Sequence, residues 1–361
     1  MATQTAAAVD PAPIKNSNAK LQEAISGWGF MLPAFLILFV FMILPLFVAG
    51  YFSLTDWNGR RPLTNPDAFE MVGMENYQTL LLSGRRVDDF YNALKNTVYY
   101  VAGVVPAQTA IALVLAVIVN QRWLKGRGFF RTAFYFPSIT SSIVVSMIFL
   151  FLFSNTGPVN GALRAIFPSY QDVSWLTDNN GLVHNFFGLF GMTARNAPAF
   201  LTDTEIFRIS LWDWISGPSV AMFTIMMLAI WTTIGTMMVV YLAALQNIPS
   251  QVYEAAAVDG ATQTQIFRRI TLPLLRPTTF FVVTLGLIGT FQVFDQVYML
   301  RDEQTRESTM TVAYLVYDTA FNLADPRMGL AAATALTLFA IIFVATIVQR
   351  RLVGGDRPAD E

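Results

Sequence analysis

Six apolar runs, each of about 20 residues or more, alternate with polar intervals along the chain, at 29–52, 96–119, 129–153, 220–245, 278–300 and 330–348. As an α-helix rising 1.5 Å per residue, a run of that length crosses about 30 Å of hydrocarbon. Backbone groups in lipid have to be satisfied within their own segment, so every run is predicted helical. Pro33, Pro45, Pro106 and Pro137 fall inside the runs and are expected to kink these helices rather than break them. The expected fold class is therefore all-α integral membrane, with six transmembrane helices in a domain over 29–350.

The polar intervals set the orientation. With the N-terminus inside, the inner pieces hold Lys15, Lys20, Arg122, Lys125, Arg127, Arg131, Arg268, Arg269, Arg276, Arg350, Arg351 and Arg357. Those 12 basic residues fall in about 80 positions, and the other 11 are spread over about 130 outer ones. The short interval 121–128 carries three basic residues and no acid. Both termini are thus predicted cytoplasmic, as tails 1–28 and 351–361. The interval 154–218 becomes the largest outer segment and 246–277 a cytoplasmic loop. The first apolar run is too long for a signal-peptide core and has no small-x-small cleavage site, so it is read as a retained span. In the outer segment, turn signals stand at Asn155-Thr156-Gly157-Pro158 and Asp178-Asn179-Asn180-Gly181. LVHNFFGLFG at 182–191 reads either as an interfacial helix on the outer leaflet or as a helix packed on the bundle end.

Composition agrees with a membrane chain. It is 54% hydrophobic and 13% charged, against about 25% charged in soluble domains. The net charge of −1 suggests no nucleic-acid partner. The absence of cysteine removes disulfides, thiolate metal sites and cysteine nucleophiles.

A loop between two spans needs only a handful of residues, yet 246–277 is long and patterned. Glu254-Ala255-Ala256-Ala257 opens a helix with an acid in its first turns, and Ser250 is the expected N-cap. Gly260 is expected to interrupt it with a sharp turn. A second amphipathic piece follows, with Ile266, Phe267 and Ile270 on one face and Arg268 and Arg269 on the other. Pro273 and Pro277 are expected to end it. Two short helices and a turn lying under the membrane would present a compact knob to a cytoplasmic partner.

The order Glu254, Ala255, Ala256, Asp259, Gly260, Ala261, Phe267, Leu272, Pro273, Pro277 resembles the coupling loop of permease subunits of binding-protein-dependent ATP-binding-cassette importers. The sugar-importer branch, that of the maltose and glycerol-phosphate permeases, is resembled further in LPAFLILFVFMILPL from Leu32, FSLTDWNG at 52–59, ENYQTLL at 75–81, RTAFYFPSITSSIV at 131–144 and FDQVYMLR at 294–301. The likeness covers most of 29–350, and 180–212 looks inserted relative to the family. It implies a type I importer permease fold. It also implies a second permease subunit, two ATPase subunits carrying ATP and Mg, an extracytoplasmic solute-binding protein and a carbohydrate substrate. ATPase coupling then falls to Glu254, Ala255, Ala256, Asp259, Gly260, Ala261 and Phe267.

The chain has no phosphate-cradling G-x-x-x-x-G-K-[ST] loop. Its four lysines, Lys15, Lys20, Lys95 and Lys125, follow Ile14, Ala19, Leu94 and Leu124, so no cofactor is expected in this chain and ATP hydrolysis is assigned to a partner. The single histidine, His184, has no companion for catalysis or metal binding. Asp295 is the only acid within the predicted spans, facing either the bundle interior or water at the outer interface. Gln292 and Gly289 precede it on the same expected helical face. Trp231, Thr232, Thr233 and Thr236 form a polar patch in the fourth span. In similar importers sugar is bound midway across the membrane by these two spans, so these seven residues are the expected substrate path. An ion-driven secondary transporter is the alternative, although no symmetric helix breaks appear in the two halves. A membrane-embedded enzyme is third, given so few catalytic groups.

Overall fold

The computed structural model describes residues 17–121 and 123–353. The chain divides between Tyr51 and Phe52 into two units. In the first, α1 (Leu21–Phe52) is helical throughout, with a π-type turn at Phe39–Ile43. The Leu44 N–H reaches the Phe39 carbonyl there, and this wider turn accommodates Pro45, whose ring clashes with the carbonyl four residues back in a regular helix.

The second unit is a helical bundle. Its main elements are α2 (Arg85–Asn120), α3 (Arg127–Ile139), α4 (Ser142–Leu152), α5 (Leu182–Leu189), the hairpin β1 (Glu205–Ile206) and β2 (Ile209–Ser210), α6 (Val220–Gln246), α7 (Ser250–Val258), α8 (Gln263–Leu274), α9 (Arg276–Phe291), α10 (Asp295–Leu300), α11 (Val312–Phe321) and α12 (Met328–Val353). Among the described residues four helices, α1, α2, α6 and α12, are long and apolar enough to cross a membrane alone, and six spans result if each of two bent pairs counts as one.

Those bent pairs correct two expectations. The run 129–153 is not one kinked helix: α3 and α4 meet at 98°. The break falls at Thr140 and Ser141, whose ψ angles of 145° and 130° are extended, three residues beyond Pro137. The run 278–300 is not one helix either. α9 stops at Phe291, and α10 starts again at Asp295. Pro106, by contrast, leaves α2 unbroken. The all-α expectation also misses the β1–β2 hairpin.

The core lies where α2 meets α6. Ala112, Ala116 and Val119 pack on Met238, Tyr241, Leu242 and Leu245, and Tyr100 and Val104 lie in the same cluster as Met222, Ile225 and Leu228. Alanines four apart on one face let two backbones approach closely, which is how helices associate where lipid is as apolar as the side chains.

Buried amides and hydroxyls fix the connections at the end of the bundle where α2 and α6 begin. Asn96 of α2 donates to the Glu307 and Met310 carbonyls at 2.8 and 3.0 Å, and the Thr311 hydroxyl donates to the Val293 carbonyl at 3.0 Å. Asn160 is fully buried and makes four bonds: its amide donates to the Asn155 and Val173 carbonyls, and its oxygen accepts from the Tyr170 hydroxyl and the Trp175 indole, all at 2.8–3.0 Å.

Segment 180–212 folds onto this same end. His184 stacks on Trp212 at 4.4 Å, with its Nε2 3.0 Å from the Trp212 carbonyl, so the lone histidine serves packing. α5 fits both readings in part: Phe187 packs on Trp212, while Phe186, Leu189 and Phe190 are exposed. The hairpin turn places Phe207 and Arg208 at φ 53° and 61°, a conformation usually filled by Asn-Gly. The Phe207 ring stacks on Tyr91 at 5.4 Å and Arg208 pairs with Asp88 at 3.3 Å. That ion pair is half exposed, so Arg208→Ala is expected to cost less than about 1 kcal/mol in a thermal melt.

Candidate functional site

The loop after α6 is built from local stop and start signals. α7 ends in a Schellman motif: Ala261 N–H bonds the Ala256 carbonyl at 3.0 Å, and Gly260 N–H bonds that of Ala257 at 3.1 Å. This closure requires the left-handed conformation at Gly260, whose φ is +75°. Two residues later Thr262 caps α8. Its hydroxyl accepts from Gln265 N–H, and the Gln265 side chain accepts from Thr262 N–H at 2.7 Å, a complete capping box. Ser250 is not the N-cap expected: Pro249 holds that position without a side-chain bond, and Ser250 is the first helical residue. Pro273 does not end α8. The helix runs to Leu274 and then bends by 64° into α9, with Pro277 in the first turn of the new helix.

Ala256 and Ile266 are buried and hold the two short helices down. Glu254, Ala255, Asp259 and Gly260 are exposed, and Ala261 and Phe267 are half-buried. Val258 at the tip is 87% exposed, an apolar residue the sequence reading passed over. Glu254 and Phe267 also face a concavity of about 1180 Å³ that includes Gln121, Trp123, Arg127 and Tyr253. The capping box was missed as well, although T-x-x-Q is a recognisable signal. Thr262→Ala is expected to cost about 1 kcal/mol of local stability. Hydrogen exchange reports it as faster exchange of the α8 amides, with α6 unchanged.

A second feature lies between α2, α6 and α9. It is a cavity of about 280 Å³ lined by Gln108, Thr233, Gly289, Gln292 and Asp295, among others. Gly289, Gln292 and Asp295 do not share one helical face as expected, because the helix breaks between them. The turn at Gln292–Phe294 brings all three to the same cavity, and the Val293 carbonyl freed by the break takes the Thr311 hydroxyl. Asp295 is exposed at the first turn of α10, favourable for an acid, rather than charged inside a span. Of the α6 patch only Thr233 reaches the cavity. Trp231 packs on Phe149 at 5.7 Å, the Thr232 hydroxyl turns back to the Leu228 and Ala229 carbonyls, and Thr236 is exposed on another face. Four residues within six helical positions fan out over more than one face at 3.6 residues per turn.

Gln108 was not predicted. It is 1% exposed, its Oε1 accepts from the Thr233 hydroxyl at 2.7 Å, and its Nε2 has no protein partner. Leaving a buried donor unpaired costs about 1–3 kcal/mol. A lone glutamine in an apolar run is a signal, since polar groups within spans are costly.

Where α2 begins, a polar depression of about 490 Å³ is lined by Asp89, Lys95, Asn179, Glu303, Arg306 and Glu307. Burial works against the Arg306 charge, but the Asp318 carboxylate at 2.7 Å outweighs it and raises the guanidinium above its ordinary value.

Residues 108–355 match the family model of the binding-protein-dependent transport system inner membrane component. The chain belongs to this family. The match takes in both the α7–α8 loop and the cavity. This permease is 29% identical to the multiple sugar-binding transport system permease protein MsmF of Streptococcus mutans, over 90% of this chain and 94% of that protein. It is 31% identical to the arabinooligosaccharides transport system permease protein AraP of Halalkalibacterium halodurans, over 82% and 79%. In fold it resembles a chain in the crystal structure of a bacterial transporter that imports the acidic polysaccharide alginate, with a TM-score of 0.69 at 21% identity, over 94% of this chain and 99% of that one. The permease thus has the helical, multi-pass fold of a type I importer subunit and is not itself the catalytic component.

Proposed function

We propose that this permease is one half of the membrane path of an ATP-driven, binding-protein-dependent carbohydrate importer in a bacterial or archaeal cytoplasmic membrane. A second permease subunit completes the path, two ATPase subunits supply ATP and Mg, and an extracytoplasmic binding protein delivers the sugar. Six spans, counting each bent pair as one, put both termini and the α7–α8 loop in the cytoplasm, the side that the arginine distribution favours.

The observation that carries this reading is the loop itself. Two short helices, each closed by its own cap, hold Glu254, Ala255, Val258 and Asp259 exposed. A rigid, partly apolar knob of this kind suits a partner's groove, and movement of that partner would be passed to α6 and α9 at its two ends. Sugar transport is supported by the relatives MsmF and AraP. The cavity, with Thr233, Gly289, Gln292 and Asp295, is the proposed path. The polar depression at the start of α2 lies where the binding protein would dock.

Co-expression with the candidate ATPase genes and purification in mild detergent tests the assembly. Retained ATPase and sugar uptake that requires ATP in proteoliposomes are expected. Uptake that follows an ion gradient without ATP would sink the reading.

A further inference from the structure

Gln108 lies well inside α2, and the amide is held by groups from two other helices. Thr233 of α6 donates to Oε1, which turns Nε2 towards α9. There Nε2 lies over Gly286, where an added Cβ would stand only 2.3 Å from it. Glycine at 286 makes room for the amide at the cavity wall. The result is a buried, oriented N–H donor with no protein acceptor, beside a cavity that also holds Gln292, Asp295 and Thr290.

We propose that Gln108 is a specificity-setting contact for the transported carbohydrate, its free amide N–H donating to a hydroxyl or ring oxygen of one sugar unit. This rests on the carbohydrate reading above. The cavity supplies amides, hydroxyls and a carboxylate, with the rings of Tyr100 and Phe294 beside them. Hydroxyl groups both donate and accept, so a polyol matches such a lining better than a cation or an apolar solute. The volume, near the low end of the ~300–1,000 Å³ usual for small-molecule sites, suits one ring at a time. A sugar oxygen that replaces solvent at this N–H exchanges one bond for another. An analogue lacking that oxygen leaves the donor unpaired, so Gln108 discriminates between solutes more than it adds affinity.

The complete transporter, reconstituted with its binding protein, is assayed for uptake of the parent sugar and its monodeoxy analogues. The wild type is expected to reject at least one analogue by about tenfold or more. Gln108→Met, similar in length and without the donor, is expected to lose most of that discrimination while still transporting the parent sugar. Gly286→Ala, which pushes the amide aside, is expected to blunt it in the same way and serves if the Met variant does not insert. Wild-type discrimination retained in these variants overturns the role of Gln108 alone. No carbohydrate uptake by the wild type overturns the carbohydrate reading and this proposal with it.

Discussion

Gly260→Val is expected to leave the permease inserted in the membrane but to cut ATP-driven uptake by tenfold or more. The reason lies in the backbone, because a Cβ at this position meets nothing within 4 Å. At φ +75° a residue with a side chain pays about 1–2 kcal/mol, and a β-branched one is an outlier there. The cheapest escape is to abandon the Schellman closure, which swings Thr262 and α8 away from α7. Gly260→Asn, which tolerates the left-handed region, should retain most activity, and Gly260→Ala should fall between. Uptake and ATPase retention measured on the three variants check the order. Glu254→Lys separates contact from conformation. Glu254 is exposed, and no ion pair is seen for it among the described residues, so its reversal should move the melting temperature little. Its expected effect is loss of the co-purifying ATPase. Uptake unaffected by both Gly260→Val and Glu254→Lys would refute the role given to this loop.

Asn160→Leu is expected to be the most destabilising single change, by about 3 kcal/mol or more. Leucine is close in size but removes all four bonds of a fully buried amide. Two backbone carbonyls, a phenol and an indole are then left without their partner. The damage spreads, because the Trp175 carbonyl accepts from Thr224 of α6 at 2.9 Å and its ring packs on Phe153 at 5.7 Å. Asn160→Asp keeps the acceptor for Tyr170 and Trp175 but loses both donors, so it should recover part of the loss. Thermal unfolding in detergent measures both. A shift for Asn160→Leu no larger than that for Arg208→Ala would contradict the hub.

Apolar length and local stop signals made much of the helix placement legible. The helices at 220–246 and 328–353 are close to the runs read for them. The bends were not legible, because a run such as 129–153 stays apolar through Thr140 and Ser141 whether or not the chain turns there. The seven expected path residues show the same limit. Thr233, Gly289, Gln292 and Asp295 reach one cavity, while Trp231, Thr232 and Thr236 do not. Three-residue spacing implied a shared face for Gly289, Gln292 and Asp295, and a helix break produced the meeting instead.

The sequence by itself determined the membrane class, the helical segments and the turn at Gly260. Each depends on hydrophobic length or on a backbone angle that a few neighbouring residues set. Tertiary structure alone decided that Gln108, Thr233 and Gly286 meet. The Gln108–Thr233 bond joins residues 125 apart in the chain, and whether a buried amide finds a partner depends on how three helices pack.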